Sequence, residues 1–229
     1  MNTRRDEIAI ALAGSNYIYR LLKRVFAGEP NLQLTQALTD EFTDEALSLF
    51  LSEESFAPYK ELFAQLKQAT TADCDKIISH LKGEYTYLML GPGKLPAPPW
   101  ESVYVNKTRM LFQESTLEVR RAYLEYNLLP AEYPHVADDH IAMELDFMAR
   151  LGQLAEQSLE AGDTAQLQKI LSSQKAFLEN HLLVWIGDFA QEMQSATTHY
   201  LYPQMACLTK EFLHASHSAI SELISAIAN

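Results

Sequence analysis

The apolar side chains of this chain recur mostly at three- and four-residue intervals, the spacing that lines one face of an α-helix. Ile8, Leu12, Tyr19, Leu22 and Phe26 share one stripe and predict a first helix from about Thr3 to Phe26, stopped by Gly28 and Pro30. Leu38, Phe42, Leu47 and Phe50, then Leu62, Phe63 and Leu66, predict two shorter helices, with Pro58 in the first turn of the second. Another stripe begins near Thr71 and runs through Ile77, Leu81, Tyr85 and Leu88 to Gly91. The pattern then breaks at Gly91-Pro92-Gly93-Lys94-Leu95-Pro96-Ala97-Pro98-Pro99-Trp100. Proline fixes φ and removes a backbone donor, so this stretch neither continues a helix nor sits inside a sheet.

Ser115-Thr-Leu-Glu118 reads as a capping box that opens a helix reaching about Asn127. A second irregular stretch, Leu128 to Ala137, contains Pro130 and Pro134. Asp138 or Asp139 is then placed to cap a long helix through Met143, Leu145, Phe147, Met148, Leu151 and Leu154 to near Gly162. Thr164 starts the next helix, Leu182 to Met193 forms another, and Pro203 opens the last, which ends near Ile227. Eight to ten helices and no strand pair make an all-α chain. The expected architecture is a single globular helical bundle spanning residues 1–229. The Pro-rich loop marks a possible join between an N-terminal half, 1–114, and a C-terminal half, 115–229. A loop of that length leaves both a monomer and a domain-swapped dimer open.

A chain of 229 residues can bury a core without metal or disulfide staples. Thirty acidic residues against eighteen basic ones leave a net charge of −12, which argues against nucleic acid and against anionic membrane surfaces as partners. Cys74 and Cys207 stand alone, which suits a reducing compartment. No run approaches the ~20 apolar residues that span a bilayer, so stable membrane insertion is not expected. Thr3-Arg4-Arg5 before an apolar run looks superficially like a twin-arginine export signal. Asp6 and Glu7 interrupt it and the run stops at Gly14-Ser15-Asn16, so the expected location is the cytoplasm.

Phosphate-loop, dinucleotide, nucleophile-elbow and HExxH signatures are absent from the sequence. The enzyme alternative is a metal-dependent helical bundle using Glu211, His214 and His217, since Glu211-x-x-His214 is half of a di-iron motif. The matching Glu132-x-x-His135 carries Pro134, which argues against a regular helix there. The densest polar cluster is Asp138-Asp139-His140, with Glu144 one helical turn beyond His140. Its spacing is accounted for by a helix cap with an internal hydrogen bond, and a seat for a cationic guest is the alternative description. Leu95, Pro98, Pro99, Trp100 and Tyr104 likewise fit either a buried loop plug or a peptide groove.

Several ordered blocks resemble the TorD/DmsD family of chaperones for twin-arginine-exported molybdoenzymes. They are Tyr85-x-x-Leu88-x-x-Gly91-Pro92, Pro98-Pro99-Trp100-Glu-Ser102-Val103-Tyr104, and Ser115-Thr116-Leu117 with Arg120. Asp139-His140-Ile141-x-x-Glu144-Leu145-x-Phe147-Met148 and the helices around His181, Trp185, Phe189 and Tyr200 to Leu208 extend the resemblance over most of the chain. The resemblance implies an all-helical fold, no catalysis, no cofactor, and binding of a partner's signal peptide before export. It carries over Tyr85, Leu88, Pro99, Trp100, Asp139 and His140 as binding positions. Ala137, where the family usually has proline, and Gly93, where close relatives often have an aromatic, depart from the pattern.

A twin-arginine signal offers two guanidinium groups followed by an apolar stretch. Its site needs carboxylates, which pair arginine in a fork, beside an apolar trough. Asp138, Asp139 and Glu144 are expected to supply the first, and Tyr85, Leu88, Pro99 and Trp100 the second, with His140 orienting an aspartate or donating to the guest. An unperturbed imidazole pKa of ~6.5 would make binding mildly pH-sensitive. The expected function is that of a cytoplasmic chaperone. Its clients would be the signal peptide and apo form of a molybdenum-cofactor oxidoreductase of the dimethyl sulfoxide or trimethylamine N-oxide reductase type.

Overall fold

The stripe from Ile8 to Phe26 forms one rod, α1 (Asn2–Ala27), and ends where Gly28 and Pro30 follow. The structure is a computed structural model that describes residues 2–106, 109–111, 114–128, 137–196 and 200–228. Three helices replace the two expected next: α2 (Leu32–Leu38), α3 (Glu41–Ser48) and α4 (Glu53–Ala72). Each opens on a polar cap that hydrophobic periodicity passes over. The side chains of Asn31, Asp40 and Ser52 accept from the N–H groups of Leu34, Phe42 and Ser55. Pro58 therefore lies in the second turn of α4 rather than the first, on its exposed side.

Asp73 caps α5 (Cys74–Tyr85), which runs on into a π turn, Thr86–Leu90. Gly91 ends it at φ +84, where an added Cβ would meet the Gly93 backbone nitrogen at 3.1 Å. A single short helix, α6 (Glu101–Val105), follows the Pro-rich loop. α7 (Glu114–Glu125) begins a residue before Ser115, so the expected capping box does not form. The Ser115 hydroxyl instead accepts from Asn106 Nδ2 at 3.3 Å.

The long α8 (Ile141–Ala161) closes on Gly162 in the left-handed conformation, as the glycine predicts. α9 (Thr164–Phe177), a π turn (Leu178–Leu182) and α10 (Leu183–Gln194) form one continuous rod, with no break before Leu182. α11 (Tyr202–Ala228) completes the chain, with Pro203 in its first turn. With the α9–α10 rod taken once, the described residues form ten helices and no strand, the all-α architecture expected.

α1 lies along α8 and also meets α11, while α9 packs against α8 and α11 and α10 packs against α11. One apolar cluster extends from Ile8 to Ile220, with Tyr19, Phe26, Trp185, Phe189 and Phe212 fully enclosed. Phe26 and Phe189 meet edge to face at 5.9 Å, as do Tyr19 and Phe212 at 5.0 Å. Each such ring contributes about 2–3 kcal/mol by leaving water. Gly152 lets α8 approach α1 closely, since a Cβ there would meet the Asn16 side chain at 3.2 Å. No helix among the described residues is long and apolar enough to cross a membrane.

Candidate functional site

The Pro-rich loop and the entry to α8 are stitched together by two backbone hydrogen bonds. Ile141 N–H donates to Pro99 O at 2.9 Å, and Glu101 N–H donates to Asp139 O at 3.0 Å. The bridge sets Trp100 opposite His140, and their rings meet nearly edge to face at 5.4 Å. Beside them lies a hollow of about 590 Å³ walled by the end of α1, the π turn after α5 and the first turns of α8. Phe26, Tyr85, Met89, Trp100, His140 and Met143 give it an apolar and aromatic lining. Tyr85, Trp100 and His140, named from three separate blocks of sequence, thus converge on one concavity.

The other expected positions lie beneath that surface. Leu88 is fully enclosed, with Met89 and Leu90 lining the hollow in its place, because the wider winding of the π turn shifts which side chains face out. Pro99 is buried and contributes its carbonyl to the bridge. Asp138, Asp139 and Glu144 are each 0% exposed, so the expectation of open carboxylates is corrected. Asp138 pairs with Arg120 at 2.6 Å, and its backbone carbonyl accepts from Tyr123 Oη at 2.8 Å. Asp139 reaches back to cap α6, accepting from Ser102 N–H at 2.9 Å. Glu144 accepts from Trp185 Nε1 at 3.2 Å and makes no side-chain bond to His140, contrary to the i,i+4 expectation.

These acids form a buried polar layer with Glu101, whose carboxylate lies 3.0 Å from His181 Nδ1. Burial, reinforced by the charges of Glu101 and Asp139, pushes Glu144 well above the usual carboxylate range and so favours its neutral form. Burial also raises Glu101, against the opposing pull of His181. One oxygen each of Asp138 and Asp139, together with the Ser102 hydroxyl, has no hydrogen-bond partner among the described residues. The layer ties α6, α7, α8 and α10 together under the hollow and positions its floor.

His140, not either aspartate, caps α8: its Nδ1 accepts from Ala142 N–H at 3.1 Å. That bond fixes Nδ1 as the acceptor, leaving the proton of the neutral ring on Nε2 as a donor. Burial lowers the imidazole pKa to about 4, so the ring stays neutral through the physiological range. The mild pH sensitivity expected of His140 is therefore displaced to acid pH.

The carboxylate that does reach the hollow is Asp146, which sequence reasoning missed. It is bound to Lys23 at 2.8 Å, with both side chains about a third exposed or less. Its signal was available: a lone acid within the apolar run Leu145-Asp146-Phe147-Met148, on the helix that begins at the cluster. The nominated metal ligands do not converge. Glu211 accepts from Tyr59 Oη at 2.8 Å, His217 pairs with Glu179 at 2.8 Å, and His214 is exposed. Among the described residues no three His, Cys, Asp or Glu side chains are grouped to hold a metal. Glu132 and His135 lie outside the described residues.

The profile of the family described as nitrate reductase delta subunit matches residues 52–191. The chain is 27% identical to the probable Tat proofreading chaperone DmsD of Haemophilus influenzae over 194 residues, 83% of each chain. It is 28% identical to the chaperone protein TorD of Vibrio atlanticus over 200 residues, 85% of this chain and 89% of that one. The TorD of Aliivibrio salmonicida is 26% identical over 202 residues, 86% of this chain and 89% of its own. With more than half of its length matched by that profile, the chain belongs to the nitrate reductase delta subunit family, as a TorD/DmsD-type chaperone rather than an enzyme.

Proposed function

We propose that this chaperone binds the twin-arginine signal peptide, and the apo body, of a molybdenum-cofactor oxidoreductase of the dimethyl sulfoxide or trimethylamine N-oxide reductase type. It does so in the cytoplasm, holding the client while cofactor is inserted and delaying its export. The observation that carries the reading is the meeting of Tyr85, Trp100 and His140 on one apolar hollow with Asp146 at its edge. The name of the Haemophilus relative, a Tat proofreading chaperone, supports the choice of guest.

The apolar stretch of the signal fills the hollow against Phe26, Tyr85, Met89, Trp100 and Met143. Aromatic rings supply large contact area at small entropic cost, which suits a guest whose apolar sequence varies. His140 offers Nε2–H to a backbone carbonyl of the guest, and because the ring is neutral it does not repel the guest's arginines. An arginine of the guest competes with Lys23 for Asp146; its planar fork matches a carboxylate better than an ammonium does. Asp138, Asp139 and Glu144 act from below, by holding the Trp100–His140 bridge and the start of α8 in place.

The test is a titration of the purified chain with a twin-arginine peptide and with its Arg-to-Ala counterpart. Tighter binding of the parent peptide is expected. Equal or undetectable binding of both, with no affinity for an apo-enzyme of the dimethyl sulfoxide reductase type, would overturn the proposal.

A further inference from the structure

Next to the apolar hollow, α1 and α8 enclose a second one of about 460 Å³ whose character is opposite. On α1, Arg20, Lys23 and Arg24 follow at i, i+3 and i+4 and so share a face, an arrangement of like charges that weakens a helix. Arg150 stands across from them on α8. Two carboxylates face these four cations, and both are already engaged. Asp146 is shared by Lys23 at 2.8 Å and Arg150 at 4.0 Å, and Glu156 accepts from Asn16 Nδ2 at 3.0 Å. Arg20 and Arg24 are exposed and have neither ion pair nor hydrogen bond among the described residues. Four cations against two carboxylates leave a surplus of two positive charges, in a chain whose net charge is −12.

We propose that this hollow is a second binding site, for a doubly charged oxyanion of the phosphate class. The walls lie away from the helix N-termini and their backbone N–H groups are spent on intrahelical bonds, so recognition rests on side-chain charge and the guanidinium forks alone. The surplus of two charges matches a dianion, whereas a single carboxylate would neutralise half of it. Guanidinium groups pair phosphate oxygens in a bidentate fashion, and two unpaired arginines one turn apart can grip one phosphate from the same side. The apolar hollow shares Lys23 and Asp146 with this one, but the inference does not depend on what fills the apolar hollow.

The experiment titrates the full chain with pyrophosphate, inorganic phosphate and succinate at constant ionic strength set with sodium chloride, by isothermal calorimetry. Saturable one-to-one binding of the two phosphates is expected, with succinate weaker. The double variant Arg20→Gln/Arg24→Gln should weaken pyrophosphate binding about tenfold or more, the scale of losing two charge-assisted contacts. Arg121→Gln, an exposed arginine on α7 that removes the same kind of charge elsewhere, should leave it unchanged. Circular dichroism checks that the double variant folds, and Arg150→Gln provides an independent wall should it not. No saturable binding beyond the chloride control overturns the site. So does an equal loss in Arg121→Gln, which would signal general charge attraction, or succinate binding as tightly as pyrophosphate.

Discussion

Within the nine residues from Asp138 to Asp146, one set of polar side chains is sealed inside the protein and another faces the hollow. Asp138, Asp139 and Glu144 belong to the first set, while His140 and Asp146 belong to the second. The separation follows from local geometry. Asp138 and Asp139 precede the helix and turn inward to Arg120 and to the N–H of Ser102, while Glu144 follows the inner face of α8 to Trp185. Buried charges persist only when paired or protonated, so the first set is committed to holding helices together. A residue can be indispensable to a binding site without ever touching the guest. The two sets should therefore respond differently to substitution, one in stability and the other in affinity.

The largest expected effect is on the sealed set. Arg120→Ala leaves the Asp138 carboxylate buried without its ion-pair partner and should cost about 3 kcal/mol in urea unfolding. The affinity of the folded protein for a twin-arginine peptide should stay within about twofold, below ~0.5 kcal/mol. An affinity that falls in step with stability would erase the distinction between the two sets. Next in size, Trp100→Ala should weaken peptide binding about 30-fold, near the ~2 kcal/mol typical of a central aromatic anchor, with a smaller loss of stability. A smaller change belongs to Asp146→Asn: a loss of about fivefold, fading as salt is raised, because this carboxylate is partly exposed. Loss of binding that persists in high salt would place Asp146 in the buried category instead.

Least visible near neutral pH are the titrations, and their signs differ. Glu144 has its folded pKa raised, so its contribution is full below the unfolded carboxylate value near ~4.5 and is lost as pH rises. Glu144→Gln should flatten that decline in stability on the alkaline side. His140 has its folded pKa lowered to about 4 from 6.5, so its contribution is present above 6.5 and lost as pH falls toward 4. His140→Asn, which keeps a capping acceptor, should remove the acid-side loss. Peptide affinity should vary little between pH 6 and 8, because the imidazole is uncharged across that window. A clear inflection near 6.5 would contradict the assignment.

The rods α1, α8 and α11 were legible because long apolar stripes dictate them, and Gly28 and Gly162 mark two of their ends. The starts were harder. Asn31, Asp40 and Ser52 are ordinary caps, but they sit between stripes too short to separate by periodicity. Histidine is a rarer cap than the two aspartates before it, so His140 was passed over. Asp139 serves an N–H thirty-seven residues upstream, a relation that no local window contains. Tyr85 was reached by resemblance, Trp100 and His140 already stood out in the sequence with two descriptions open for each, and only folding brings the three to one hollow. Leu88 and Met89 changed places because a π turn winds the chain differently from the α-helix that the stripe implied.

The central claim is that the guest lies on the hollow framed by Tyr85, Trp100 and His140, above the buried acids. Photo-crosslinking of the full chain with a twin-arginine peptide that carries a photoreactive side chain in its apolar stretch tests this most directly. The account predicts crosslinks to Phe26, Met89, Trp100 and Met143. Crosslinks confined to the separate groove beside α7 and α9, at Tyr126 or Ser173, would contradict it.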